Sequence, residues 1–240
     1  MDPRLVLFDI DGTLLDTAGA GRRAMERGFR ETFRVDAFDG EALRIRYAGM
    51  TDPKIFDGIA VALELDPAGY AAGRQRLEDS YLRALQDEMQ RPNPDRRVLP
   101  GVVALLEALH SREDVYLGLL TGNLEAGARA KLAAFGLNRY FPAGGFASDH
   151  PDRSEIARMA WEKLSSLTGI SFAPRRVFVV GDTGRDIECA RANGFAAVAV
   201  DSGWAKREEL ETAGPDALFP DLTDRDGVLE ALGVSADEPA

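Results

Sequence analysis

Five short apolar runs constrain this chain more than any other feature. They occupy residues 5–8, 115–120, 145–147, 177–180 and 197–200, and each stops at a polar or Gly-rich turn. Short runs without polar alternation suit strands buried on both faces, the condition of a parallel sheet. Helical patterns lie between most of them. Val102, Leu105, Leu106 and Leu109 share one face, and Ala126, Ala130, Ala133 and Ala134 with Leu132 form another. Ile156, Met159, Ala160 and Lys163 follow the third run, and Ile187, Ala190 and Arg191 the fourth. Strand alternating with helix predicts a doubly wound α/β sheet.

Residues 16–95 break this alternation. The stretch is helical in pattern and lacks a convincing strand. Ala24, Phe29 and Phe33, then Ile55, Ile59 and Leu63, then Leu77, Tyr81 and Leu85 form three apolar faces. It ends at Arg91-Pro92-Asn93-Pro94-Asp95, where two prolines break any helix. A βα connection needs only a few residues, so the excursion reads as a small helical domain inserted after the first strand. At the other end, 235–240 reads as a frayed tail.

The first run leads into Phe8-Asp9-Ile10-Asp11-Gly12-Thr13. Residues two apart in an extended chain face the same way, roughly 6–7 Å apart. Asp9 and Asp11 can therefore hold a metal between them or flank a reacting phosphorus, at a strand end where open α/β sheets build sites. They also fit a surface turn with an Asp at each end. Gly181-Asp182-Thr183-Gly184-Arg185-Asp186 follows the fourth run. It sets Asp182 at the strand end and Asp186 on the first turn of the next helix. Alone, this also fits an N-cap with a favourable acid near it. After the second run, Leu120-Thr121-Gly122-Asn123 offers a hydroxyl, a flexible Gly and free N–H groups at a helix start. That makes an anion-binding corner or simply a capped helix.

In this order, and each after the expected strand, these three pieces resemble the haloacid dehalogenase superfamily in its phosphatase branch. Three of the family's four motifs match, and the 16–95 insert matches its helical cap, so the resemblance spans nearly the whole chain. It implies a Rossmann-like parallel sheet core, residues 1–15 and 96–240, with an inserted helical cap domain, residues 16–95. Asp9 is then the nucleophile that takes the phosphoryl group. Asp11 is the general acid for the leaving oxygen and afterwards the base that activates water. Mg²⁺ would bind the Asp9 carboxylate, the Asp11 backbone carbonyl and the Asp182 carboxylate. Asp186 would bind the metal directly or hold its waters and the basic residue. Thr121, with N–H groups near Gly122 and Asn123, would hold the phosphoryl oxygens. These roles answer a physical need, since fixed donors and a cation must offset the repulsion between an anionic nucleophile and a phosphate dianion.

The family's remaining motif is a lysine ahead of the helix after the third strand. Residues 148–155 contain none. Arg153 is the positional candidate, able to bridge Asp9 and a phosphoryl oxygen; the alternative is a surface residue pairing with Asp149 or Asp152. Lys163 lies too far into the helix. His150, in the same loop, could touch substrate or be solvated. His110 fits a helix C-terminal interaction, Cys189 a small core residue, and Phe29, Phe33 and Trp161 packing.

Asp11 favours phosphoryl transfer, because the dehalogenases and phosphonate-cleaving members that this chain resembles lack that second acid. Sugar phosphomutases use a cap histidine and a cap arginine, and by position those places hold Gly21 and Asp52. The expectation is hydrolysis of a small phosphorylated metabolite. A phosphomutase or other phosphoryl transferase is the alternative within the family. A non-catalytic phosphoryl-binding or switch protein, resembling receiver domains, is the alternative outside it. Arg44, Arg46, Gly49, Thr51, Asp52 and Lys54 lie in one polar stretch whose Gly-x-Thr-Asp piece looks like caps of the phosphoglycolate phosphatase type. Arg46 and Thr51 are therefore candidate substrate contacts, in a stretch that also fits a solvated helix–helix turn. Charge narrows the partners. With 29 Lys plus Arg against 40 Asp plus Glu, the net charge of −11 argues against nucleic acid and anionic membranes. No run approaches the ~18 apolar residues of a membrane span. The sole cysteine and the short first run fit a cytoplasmic protein, monomer or homodimer.

Overall fold

The computed structural model describes residues 2–38 and 43–234, and the tail expected to fray at 235–240 lies outside the described residues. Six parallel strands form the main sheet, in the order β5-β4-β1-β6-β7-β8. β1 (Arg4–Phe8) is central, between β4 (Val115–Leu120) and β6 (Val177–Gly181). β5 (Gly144–Gly145) lies beyond β4, and β7 (Ala196–Val200) and β8 (Ala217–Phe219) beyond β6.

The alternation of side chains along β1 feeds two cores. Leu5 and Leu7 enter one apolar cluster, and Val6 and Phe8 the other. On the first face pack α6 (Arg153–Thr168), through Ile156, Ala157, Ala160 and Leu164, and α7 (Gly184–Ala192), through Ile187 and Ala190. On the second pack α4 (Val102–His110), α5 (Glu125–Ala133) and α9 (Arg225–Ala231). Complete burial of Val102, Leu105, Leu106 and Leu109 contributes about 1.5–3 kcal/mol per side chain. The remaining helix, α8 (Arg207–Ala213), buries only Leu210. Helices on both faces of a parallel sheet are the doubly wound arrangement expected.

Some local detail differs from expectation. The third strand is Gly144–Gly145, not 145–147, because the Asp149 carboxylate accepts the Phe146 N–H at 3.0 Å and closes a turn there. The buried residues of α5 are Gly127, Ala128, Lys131 and Leu132, whereas Ala126, Ala133 and Ala134 are exposed. Alanine loses little by facing water, so a row of alanines marks a helix face weakly. His110 ends α4 with its ring edge-on to Tyr140, and Cys189 is buried.

Between β1 and β4 the chain leaves the sheet and returns. Its two crossings are paired: β2 (Leu15–Asp16) runs antiparallel to β3 (Arg97–Val98), with an Asp16–Arg97 ion pair of 2.9 Å. The excursion holds α1 (Ala20–Phe33), α2 (Asp52–Ala62) and α3 (Pro67–Gln90), and no strand among the described residues. Asp66 starts α3 by accepting the Gly69 N–H at 2.7 Å, with Pro67 in the first turn where its missing N–H costs nothing. Phe29 packs edge-on against Phe56, which meets Tyr81 in the same way. Trp161 packs elsewhere, its indole N–H donating to the Phe172 carbonyl. Among the described residues, no helix is long and apolar enough to cross a membrane.

Candidate active site

The carboxyl ends of β1, β4 and β6 carry the polar residues that the sheet converges on one point. The Asp9 N–H donates to the Val180 carbonyl at 2.9 Å, so Asp9 is held by the sheet itself. Gly12 then turns at φ +86°; a Cβ there would fall 2.4 Å from Asp182 Oδ2, so glycine alone lets this loop pass. Asp182 accepts from the Thr13 hydroxyl at 3.4 Å and from the Trp204 N–H at 3.1 Å. Asp186 sits on the first turn of α7, where its Oδ2 accepts from the Thr183 N–H at 3.0 Å and hydroxyl at 2.7 Å. This is the reciprocal cap that starts the helix. It leaves Oδ1 pointing to Arg153.

Arg153 is buried. A single nitrogen, Nη2, lies 3.0 Å from Asp9 Oδ2 and 2.5 Å from Asp186 Oδ1. Its Nε–H has no hydrogen-bond partner among the described residues. The surface pairs that Arg153 might have made are otherwise taken. Asp149 pairs with Lys163 at 2.6 Å, and Asp152 caps α6 and faces Lys54 at 3.6 Å.

One oxygen from each of Asp9, Asp182 and Asp186 comes within 4.8 Å of the others, and all three residues are buried. Burial pushes the Asp9 carboxyl up to about 6, against the pull of Arg153 and with Asp186 and Asp11 adding to the rise. Burial, then Asp9 and Asp186, raise Asp182 well above the usual carboxylate range. Three buried carboxylates share one guanidinium, and this surplus of hard oxygen donors fits a divalent cation such as Mg²⁺.

Asp11 is partly exposed and faces the other side. Its Oδ2 accepts from Asn123 Nδ2 at 2.8 Å and from Lys131 Nζ at 2.6 Å. Asn123 Nδ2 also donates to Thr121 Oγ1 at 2.7 Å. Thr121, Gly122 and Asn123 thus meet Asp9 and Asp11, as the motif order suggests. Lys131 is the member that the motifs did not point to. These groups open on a cavity of about 90 Å³, lined by Asp9, Asp11, Thr121 and Arg153 from the sheet side and by Met25 and Tyr47 from the insert.

The polar stretch of the insert lies differently from its expected role. Arg46 is exposed and outside the cavity lining. Thr51 is buried, and its hydroxyl donates to the Pro151 carbonyl at 3.1 Å. His150 accepts the Asp152 N–H at 3.0 Å and is also outside the lining. Asp52 joins Thr51 in a seam between insert and sheet. Its N–H donates to the Gly122 carbonyl at 2.7 Å, and its Oδ2 accepts from the Leu124 N–H at 2.9 Å and the Tyr81 hydroxyl at 3.1 Å. The seam is tight: a Cβ on Gly122 would stand 2.3 Å from the Met50 carbonyl oxygen.

Asp52 gives the seam a pH dependence. Burial pushes its carboxyl up to about 6; Lys131 and the Leu124 N–H oppose the rise, and Asp11 adds to it. A raised carboxyl stabilises the fold while protonated. Its contribution is complete below about pH 4 and lost as the pH rises through about 6. Asp52→Asn should flatten the fall of unfolding free energy across this window by up to about 1.4 kcal/mol per pH unit. Urea melts from pH 4 to 7 check this, and equal slopes for both proteins would contradict it.

Residues 6–200 match the family described as haloacid dehalogenase-like hydrolase. A phosphoglycolate phosphatase of Synechococcus elongatus is 32% identical, over 91% of this chain and 93% of its own. A probable phosphatase, IndB, of Dickeya dadantii is 30% identical, over 95% and 94%. Among solved structures, CbbY from Rhodobacter sphaeroides in complex with phosphate superposes with a TM-score of 0.74 at 23% identity, covering 97% of this chain and all of that one. At that identity it speaks for the fold alone.

Proposed function

The chain belongs to the haloacid dehalogenase-like hydrolases, as a phosphoric monoester hydrolase, and from that premise we propose that it hydrolyses a small phosphomonoester with Mg²⁺ through an aspartyl-phosphate. One observation carries the reading: Asp9, buried beside Asp182, Asp186 and Arg153, shares a small cavity with Asp11.

The Asp9 carboxylate attacks phosphorus, the bond from phosphorus to the ester oxygen breaks, and Asp11 gives its proton to that oxygen. Asp11, now a carboxylate, takes a proton from water. The water oxygen bonds to phosphorus, and Asp9 is released with inorganic phosphate. Arg153, the Thr121 hydroxyl and the N–H groups near Gly122 and Asn123 hold the phosphoryl oxygens. The Asp9 and Asp182 carboxylates and the Asp11 carbonyl, with Asp186 alongside, would hold Mg²⁺, whose charge neutralises the phosphoryl oxygens.

In this reading residues 16–95 are a cap over a core of 1–15 and 96–240, and the seam at Thr51 and Asp52 is its closed contact. Closure excludes bulk water from the intermediate. A cavity of about 90 Å³ is small, which suits a small ester such as phosphoglycolate. Asp52, a carboxylate held by the Leu124 N–H and Tyr81, cannot take the part of a phosphate-binding arginine, which weighs against a mutase. The single buried cysteine, Cys189, suits a reducing compartment such as the cytoplasm.

A screen of small phosphomonoesters with Mg²⁺, read as phosphate release over many turnovers, tests the proposal, with Asp9→Asn as the blank. Turnover that EDTA abolishes is the expected result. No ester hydrolysed above the blank would end the phosphatase reading.

A further inference from the structure

Lys131 is a buried charge that the mechanism leaves unused. It stands on α5 beside Ala128 and Leu132, and is only 4% exposed. An ammonium taken out of water is costly unless its donors are matched. Its Nζ donates to Asp11 Oδ2 at 2.6 Å and to Asn123 Oδ1 at 2.6 Å. An ammonium has three donors, and the third has no hydrogen-bond partner among the described residues. The residue lines the cavity. On the insert side Gly21 faces Nζ without a side chain; a Cβ there would already touch it, at 3.6 Å. Asp52, whose carboxyl feels the Lys131 charge, is bound to the Leu124 N–H and Tyr81 instead.

We propose that Lys131 is the specificity-determining cation of this site, its third donor binding a carboxylate of the leaving group. The proposal rests on the phosphatase reading and narrows it to phosphomonoesters with a carboxylate close to the ester oxygen. Closeness follows from reach. Nζ touches the same carboxyl, Asp11, that gives its proton to the ester oxygen, so a charge one or two bonds further along the leaving group meets the ammonium. A more distant charge passes it. Lys131 also takes over the part expected of the basic residues in the polar stretch, because Arg44 and Arg46 are exposed and Lys54 faces Asp152. Asp11 and Asp52 flank the ammonium and disfavour a second phosphate there, which would bring two negative charges against both carboxylates.

Two esters isolate the carboxylate: 2-phosphoglycolate and ethyl phosphate, which differ by a carboxylate against a methyl. The wild type should favour the first by about 10–100-fold in kcat/KM, mostly through KM, the range of one charge-assisted hydrogen bond. Lys131→Met should erase that ratio. Loss of kcat shared by both esters would report the positioning of Asp11, so the ratio is the decisive readout. Lys131→Arg, which keeps a cation, should retain part of it. Should Lys131→Met fail to fold, glycolate should still inhibit the wild type competitively where ethanol does not. A wild-type ratio near one, a ratio unchanged in Lys131→Met, or equal inhibition by glycolate and ethanol each overturns the proposal. Failure to hydrolyse any phosphomonoester above the Asp9→Asn blank ends the phosphatase reading, and the proposal with it.

Discussion

Asp9→Asn is expected to lower phosphate release by at least about four orders of magnitude, the scale seen when a member of a catalytic set is removed. The amide has the shape of the carboxylate but cannot form the bond to phosphorus. The protein should nevertheless stay folded. Asp9 is a buried acid pushed up to about 6, crowded by Asp186 and Asp11, so at pH 7 its charge is a liability to the fold. Without metal, Asp9→Asn should therefore melt no lower than the wild type, and Arg153 keeps Asp186 as partner. A phosphate-release assay beside a thermal melt reads both effects. Retention of even about 1% of activity, far above that scale, would move the nucleophile elsewhere.

The second large effect concerns Arg153. Arg153→Ala should lower turnover by about 10²–10³-fold, as loss of one donor to a transition-state oxygen does. It should also cost about 3–5 kcal/mol of stability, because Asp9 and Asp186 are left buried without their cation. Arg153→Lys separates charge from shape. One nitrogen, Nη2, makes both carboxylate contacts, so the guanidinium is used here as a point charge. An ammonium at that point would do the same. Arg153→Lys should hold most of the stability and keep activity within about tenfold of the wild type, a loss of no more than about 1.4 kcal/mol. Steady-state kinetics and urea melts of the three proteins decide the matter, and a lysine variant as impaired as the alanine one would show that the fork matters.

These residues were legible because each follows a strand. An apolar run fixes where the sheet ends, and Asp9, Thr121 and Asp182 come within a residue or two of that end. Arg153 is the positional candidate in the short loop where the family resemblance implies a lysine. Lys131 was missed because a helical lysine ordinarily reaches water. The signal lay in its spacing, three and one residues from the buried Ala128 and Leu132, but neighbouring alanines suggested another face. β5 and β8, of two and three residues, are too short to carry a period. Arg46 and Thr51 stand outside the cavity lining for a different reason. The stretch around them is placed by Gly122, Leu124 and Pro151, up to 100 residues away, and it spends Thr51 and Asp52 on backbone groups there. Local composition holds no record of such contacts.

The order of strands in the sheet bears on how the chain is made. β1 emerges first from the ribosome, yet both of its neighbours come after the helical excursion, with Leu5 pairing across to Tyr116 and Val177. At about 5–20 residues per second, β1 waits roughly 9–35 s for β6 to be complete. For roughly the first 6–22 s, until β4 is complete, Leu5, Val6, Leu7 and Phe8, all fully buried in the finished molecule, have no partner strand. The helices of the insert bring Phe29, Phe56 and Tyr81 together within one continuous stretch and can gather in the interval. The nascent chain is thus a growing helical unit trailing one sticky strand, and that strand is the place where a chaperone would serve this protein most.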